Sequence, residues 1–405
     1  MKLSRTVSIA VVAAALSAAA CAQSAMQTAA RPGGTLAAIS VADLRSRLYL
    51  YAHDSMMGRE AGTVGNARAT TYLGAEAARL GLEPGGENGT YFQEIQATSG
   101  RFTGGPPGTS RNVIAILRGS DPVLRDEYVA IGAHNDHVGL RRGGSVDHDS
   151  LKAYNTELTR LGAPHWQRSS AEKRDSLRRL IKVNVDSLRR LRPARRDSIN
   201  NGADDDGSGT VTVLEIAEAL VSMPVKPKRS IIFVWHTAEE KGLLGAKWFT
   251  EHPTVPREKI VAQLNMDMVG RGSAADIAGG GPDYLQLVGS RRVSKELGDI
   301  VEQVNTQRAQ PFRFDYQFDA NGHPDRIYCR SDHYMYARYG IPVTFFTTGL
   351  HPDYHQVTDE PQYIDYEHMT RVASFVRDVA VRVADLDHRL RVDKPAGDPA
   401  AACVQ

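Results

Sequence analysis

The chain has 405 residues, 24% of them charged, with a formal net charge of +2. That balance excludes the broad basic surface a nucleic-acid binder needs, and 41% hydrophobic residues suffice for a substantial core. Three cysteines exclude a scaffold stapled by many disulfides. At the start, Lys2 and Arg5 precede an apolar run from Val7 to Ala20, followed by small residues through Ala22. Residues 1–22 therefore read as a signal peptide cut before Gln23, since the run is too short to span a bilayer. Cys21 offers a second outcome, the lipid-modified first residue of a lipoprotein, although Ala18 rather than Leu stands three residues before it. Both outcomes place the mature chain outside the cytoplasm, secreted or periplasmic.

From Val41 the pattern is helical, with Leu44, Leu48, Leu50 and Tyr51 on one face, and a second helix is predicted near Asn66 to Leu80. Runs rich in Val and Ile between turn residues predict strands at Asn112–Leu117 and Glu127–Ala133. A helix over Thr210–Leu220, strands at Ser230–Trp235 and Ile260–Asn265, a helix near Val293–Val304, a strand at Pro342–Thr347 and a last helix from about Glu367 to Val383 follow. Continuously apolar strands alternating with helices imply an α/β fold, a mostly parallel central sheet with helices on both faces. One catalytic domain over residues 37–395 accounts for this pattern, with residues 396–405 as a disordered tail rich in Pro, Ala and Gly. Cys403 lies in that tail, so a disulfide to Cys329 is not expected.

Residues 141–200 interrupt the alternation as a helical, Arg-rich insertion. Asp-Ser-Leu or Asp-Ser-Ile recurs at Asp175, Asp186 and Asp197, a period close to three helical turns. An Arg-bearing helix over residues 171–192 is expected to pack Leu177, Leu180, Ile181, Leu188 and Leu191 on the main domain, and Pro193 to end it. Residues 168–198 hold eleven basic and four acidic residues, a local charge of +7. That charge fits either a plain solvated surface helix or a basic rim that steers acidic substrates.

Five segments at predicted strand ends, where open α/β sheets bind ligands, carry histidines and carboxylates. Gly132-Ala133-His134-Asn135-Asp136-His137 closes one strand. Its His134 is a good zinc ligand in neutral form, and Asp136 is placed to hold the second ring nitrogen. Asp204-Asp205-Asp206 between glycines opens a helix, and three adjacent aspartates repel one another more than a helix N-terminus can offset, so a dication is implied. Glu239 and Glu240 follow the most apolar strand, Asp267 ends another, and the last segment runs from His351 through Tyr354 and His355 to Asp359. Adjacent glutamates point in different directions, so one can bind metal while the other handles protons.

Together and in this order, these segments resemble the di-zinc aminopeptidase family of peptidase clan MH, which includes bacterial leucine-type aminopeptidases and glutamate carboxypeptidase-like enzymes. The resemblance spans about Asn112 to Val383, and Gly58-Arg59-Glu60 through Tyr91-Phe92-Gln93 is similar to the lead-in of secreted members. It implies a zinc-dependent exopeptidase with two zinc ions per chain and peptide substrates. The first metal would be held by His134, Asp205 and Asp267, the second by the shared Asp205 with Glu240 and His355. Glu239 would be the general base toward a water shared by the metals, Asp136 the partner of His134, and Tyr354 a hydrogen-bond donor to the reacting carbonyl. Ser331-Asp332-His333 would be structural support, and the Asp205–Asp206 peptide bond would be cis.

The stretch from Val41 to Arg111 is too short for the protease-associated domain some members carry, and the insertion between His134 and Asp205 is atypical. Other readings of the same residues are a glutaminyl cyclase-like acyltransferase with one zinc, and a glutamate-releasing carboxypeptidase. A non-catalytic binding protein that kept the fold is the reading from a different class. Metal stoichiometry separates the one-zinc cyclase from the two-zinc readings, and a panel of peptides with free and blocked N-termini separates the rest.

Overall fold

The computed structural model describes residue 35 and residues 37–96, 102, 104–163, 169–277 and 279–405. The expected signal peptide and its alternative, a lipid-modified Cys21, fall outside the described residues.

Eleven strands are described: β1 (Glu83–Pro84), β2 (Phe92–Glu94), β3 (Arg111–Leu117), β4 (Tyr128–His134), β5 (Val146–Asp147), β6 (Arg196–Asp197), β7 (Ser230–His236), β8 (Ile260–Met266), β9 (Tyr284–Val288), β10 (Arg313–Asp315) and β11 (Val343–Thr347). Nine form one sheet in the order β1-β3-β7-β4-β8-β11-β9-β10, with β2 also on β3, and β5 and β6 form a separate antiparallel pair. Strands β7, β4, β8 and β11 run parallel, whereas β3 joins β7 and β9 joins β11 in antiparallel fashion. Every residue of β4, β7, β8 and β11 is buried. This explains why they read as mostly apolar runs: strands covered on both faces have no polar side, and Gln263 and Asn265 of β8 are buried exceptions.

Alternate residues serve opposite faces. Val113, Val129, Ile131, Phe233 and Trp235 join the larger core, while Ile114, Ala130, Ile232 and Val234 join the other. The larger core is closed by helices α1 (Val41–Tyr51), α2 (Val64–Arg79), α6 (Gly209–Ser222) and α10 (Tyr366–Ala384). Each buried Val, Leu or Phe there contributes about 1.5–3 kcal/mol. In α1, Leu44, Leu48 and Tyr51 are buried as the pattern requires, but Leu50 faces solvent. Among the described residues no helix is long and apolar enough to cross a membrane.

The insertion differs from its expected form. It holds three helices, α3 (His148–Arg160), α4 (Ala171–Leu180) and α5 (Val185–Leu191), in place of one long helix. Leu177 and Ile181 are buried, but against Leu158 and Ala163 of the insertion itself; Leu180 and Leu191 are 65% and 83% exposed. The eleven-residue period fails because the chain turns extended at Ile181 and restarts at an Asn184 cap, whose side chain accepts the N–H of Ser187. Much of the positive charge is also paired, Arg189 with Asp147, Arg192 with Asp149 and Arg195 with Glu360.

The C-terminal segment is held instead of disordered. Cys329 and Cys403 form a disulfide, contrary to expectation. Gln405 is buried, accepting from the Tyr328 N–H at 3.0 Å and donating to the carbonyls of Phe318 and Ala320. Composition alone suggested fraying, yet side-chain contacts to residues 318–329 anchor the segment.

Candidate metal centre

The parallel strands all deliver their C-terminal ends to one edge of the sheet. His134 is the last residue of β4, Asp267 follows β8, Glu239 and Glu240 form a short turn just after β7, and His355 lies in the loop after β11. Asp205 sits in the turn that opens α6, and its bond to Asp206 is cis. Ala238, Met268 and His355, each beside or within these segments, adopt left-handed backbone angles. Non-glycine residues hold that conformation at a cost of order 1–3 kcal/mol, which surrounding contacts must offset.

Five metal-type residues expected from the sequence come together here, in two clusters that share Asp205. His134 Nε2 lies 3.1 Å from Asp205 Oδ1 and 3.7 Å from Asp267 Oδ1. His355 Nε2 lies 3.0 Å from both Asp205 Oδ2 and Glu240 Oε1. A residue without an assigned role joins the second cluster: His137, with Nδ1 3.0 Å from Glu240 Oε1 and 3.6 Å from Asp205 Oδ2. Its signal in the sequence was the spacing itself, three ligand-type side chains within four positions.

The three consecutive aspartates divide their labour. Asp206 accepts the N–H groups of His134, Gly209 and Met268, tying three of the site's segments together. Asp204 accepts the Gly270 N–H and lies 3.2 Å from His351 Nε2. Only Asp205 aims its carboxylate at His134, His137 and His355. Asp359, also without an assigned role, accepts the backbone N–H groups of Asp204 and Asp205. Two glycines make this turn fit. A Cβ on Gly202 would lie 2.3 Å from the Asp205 carbonyl and 2.5 Å from the His137 ring, and one on Gly209 would lie 2.3 Å from Asp206 Oδ1.

Supporting contacts hold each ligand. His134 Nδ1 lies 3.1 Å from the Asp136 carbonyl oxygen, whereas the Asp136 carboxylate, expected to hold that nitrogen, is 3.7 Å away. That carboxylate instead accepts the Glu239 N–H at 3.0 Å. Ser331 donates to Asp267 at 2.8 Å and Asp332 lies 3.3 Å from His236 Nδ1, so this segment is support, as the resemblance implied. Helix α3 of the insertion braces the His355 loop, since Lys152 and Asn155 reach the Asp353 carboxylate, which Arg271 of the main domain also holds. Burial alone would raise Asp353, but Arg271 and Lys152 outweigh it and hold the carboxyl well below its usual range.

Electrostatics call for positive charge between the carboxylates. Burial alone would lower His355, but Glu240 and Asp205 push it up to about 10. Burial and Asp205 would raise Glu240, yet His355 and His137 bring it down to about 2. Desolvation pushes Glu239 well above the ordinary carboxylate range. Asp205 Oδ2, Glu240 Oε1 and His355 Nε2 are buried and make no hydrogen bond, the state expected of atoms that face an ion. Carboxylate and imidazole donors suit zinc. A third cluster, His148, Asp197 and Glu360, is already satisfied by Arg195 on Glu360 and Tyr363 on His148, and it braces the insertion.

Beside Asp205, Glu239 and Asp267 opens a cavity of about 40 Å³ walled by Phe318, Ile327, Phe345 and Leu350. Tyr354 also lines it, stacked on the His355 ring, and its hydroxyl accepts from Arg330 at 3.2 Å.

An open α/β sheet whose strand ends carry two histidine–carboxylate clusters on one shared aspartate outlines a candidate metal centre. The chain belongs to Peptidase family M28, which it matches over residues 112–380. Leucine aminopeptidase 1 of Aspergillus fumigatus is 29% identical over 211 residues, which cover 47% of this chain and 51% of that protein. The chain thus spans about half the length of the curated relatives it matches. Among solved structures, the LapA aminopeptidase of Legionella pneumophila has a TM-score of 0.56 at 18% identity, covering 86% of this chain and 73% of that one. A glutaminyl cyclase from Bacteroides thetaiotaomicron has a TM-score of 0.54 at 15% identity, covering 85% and 98%. These two likenesses establish the fold.

Proposed function

We propose that the chain is a zinc-dependent aminopeptidase that binds two zinc ions and removes the N-terminal residue of peptides. The observation that carries this reading is the convergence of both clusters on Asp205 at the mouth of an apolar cavity. His134, Asp205 and Asp267 would hold one ion, and Asp205, Glu240 and His355 the other. When bound, the ions supply polarisation of the scissile carbonyl and acidify a water.

The chain's own residues do the rest. Glu239, its backbone fixed by Asp136, takes the proton from the attacking water and passes it to the leaving amine. A carboxyl raised by desolvation holds that proton more readily than an exposed one. Tyr354, with Arg330 donating to its oxygen, donates to the carbonyl oxygen as charge develops there. Phe318, Ile327, Phe345 and Leu350 favour an apolar residue at the cleaved end. The A. fumigatus relative is called a leucine aminopeptidase, which agrees with such a pocket. Export belongs to the same reading, since a Cys329–Cys403 disulfide suits an oxidising compartment.

A panel of peptides with free and blocked N-termini, read by mass spectrometry with and without chelator, tests this. Release of apolar N-terminal residues from free peptides alone, abolished by chelator and restored by zinc, is expected. Loss of ammonia from N-terminal glutaminyl peptides would favour the cyclase reading, and release from the carboxyl end the carboxypeptidase.

A further inference from the structure

We propose that His137 is a fourth protein ligand of the ion held by Asp205, Glu240 and His355, so that this ion is closed off and the His134–Asp205–Asp267 ion is the one left open. The inference rests on the metallopeptidase reading above and extends it to a residue outside the ligand set which the family resemblance implies.

Four atoms carry the argument: His137 Nδ1, Asp205 Oδ2, Glu240 Oε1 and His355 Nε2. All four are buried and none makes a hydrogen bond. Their separations are 3.0 Å for His137 to Glu240, 3.6 Å for His137 to Asp205, and 3.0 Å for His355 to each carboxylate. Ligands about 2.0–2.1 Å from a tetrahedral zinc lie about 3.3 Å from one another, and their lone pairs point at the ion rather than at each other. That accounts for both facts at once: the atoms are within hydrogen-bond distance, yet no hydrogen bond joins them. A histidine that merely oriented Glu240 would aim an N–H along the 3.0 Å line.

The ring has no other place to go. It is fully buried, lies edge-on to the His355 ring at 5.4 Å, and is pressed by the Cα of Gly202, where any side chain would collide with it. Its backbone N–H donates to the Arg59 carbonyl, and the Arg59 guanidinium holds the carbonyls of Asn201 and Gly202. The lead-in segment therefore clamps His137 and the Asp205 turn as one unit. Zinc sites with four protein ligands are the closed, structural kind, whereas catalytic sites hold three and leave a position free. By that rule the two ions differ in role. The His137 ion fixes the shared Asp205 and resists removal, and the three-ligand ion beside the apolar cavity exchanges more easily.

Zinc content after dialysis against a graded dipicolinate series, measured by mass spectrometry, tests this on wild type, His137→Gln and, for comparison with a ligand of the proposed set, His355→Gln. Wild type is expected to hold two zinc ions, one leaving at low and one at high chelator. His137→Gln should lose the tightly held ion at far less chelator, by more than the about 10–100-fold expected of a residue that only orients a ligand, while the other is unchanged. Cobalt substitution gives a second readout, as the intense tetrahedral absorption should weaken in the variant for one ion of two. An unchanged chelator profile and cobalt spectrum in His137→Gln would overturn the assignment, as would parallel loss of both ions, which marks a scaffold residue. Wild type that binds fewer than two ions would instead overturn the underlying two-metal reading.

Discussion

Asp359 holds Asp205 by its backbone: one oxygen of the Asp359 carboxylate accepts the Asp205 N–H at 3.1 Å, and both oxygens lie 3.0 Å from the Asp204 N–H. The shared carboxylate is thus aimed by a second carboxylate that faces no histidine of either cluster. Asp359→Asn keeps one accepting oxygen and the shape of the side chain but loses the paired acceptance. The expected result is a folded protein with metal affinity weakened about 10–100-fold, measured by chelator competition. Wild-type affinity in the variant would show that the turn holds its own shape.

Glu239→Gln separates proton handling from metal binding. The variant should retain its full zinc content while kcat falls on the order of 10²–10⁴-fold, since the amide cannot accept the proton of the attacking water. Elemental analysis and peptide hydrolysis on the same preparation decide it, and turnover at the wild-type rate would remove Glu239 from its role.

Glu215 gives a pH signature remote from the metal centre. It lies in the core against Arg47 and Glu218 and accepts the Ser40 N–H at 2.8 Å, and burial pushes its carboxyl up to about 7 against the pull of Arg47. A folded-state value above the unfolded one means that folding favours the protonated form. The stability it contributes is full below about 4.5 and is lost as pH rises through about 7. Urea unfolding at pH 5 and pH 8 should show wild type losing on the order of 1–3 kcal/mol more than Glu215→Gln over that interval. Equal losses would mean Arg47 keeps the carboxylate ionised throughout.

Cys403→Ser tests the anchored C-terminal segment. A disulfide between cysteines 74 positions apart contributes about 2–4 kcal/mol, so the melting temperature should fall in oxidising buffer and match that of reduced wild type. Residues 318–329 carry both the disulfide partner and two walls of the apolar cavity, Phe318 and Ile327. KM for apolar substrates is therefore expected to rise more than kcat falls.

Strands β4, β7, β8 and β11 were legible in the sequence to within a residue or two because burial on both faces leaves them mostly apolar, apart from a few buried polar residues such as Gln263 and Asn265. The five candidate ligands stood out because each lies in a short segment of histidines and carboxylates at or just after the end of such a strand, or opening a helix. Their clustering required the resemblance as well, since spacing along the chain does not fix which loops meet. The short strands β9 and β10 were not anticipated, being brief segments that pair late in an antiparallel and a parallel step. The insertion misled for another reason. An apolar stripe states that something covers it, but not what, and here Leu177 and Ile181 found partners inside the insertion. His137 and Asp359 lay in quoted motifs without a role because hydrogen-bond orphans and backbone acceptors are properties of three dimensions.

The two glycines around the aspartates carry no chemistry, yet the surrounding atoms leave no volume for even a methyl group. At Gly202 the obstacles are the Asp205 carbonyl and the His137 ring; at Gly209 they are Asp206 Oδ1 and the Met266 carbonyl at 2.5 Å. In a saturation-mutagenesis map scored for metal retention, both positions should therefore be as intolerant as the ligands themselves. Gly81, Gly89 and Gly322, where an added Cβ meets nothing within 4 Å, should accept asparagine with little loss.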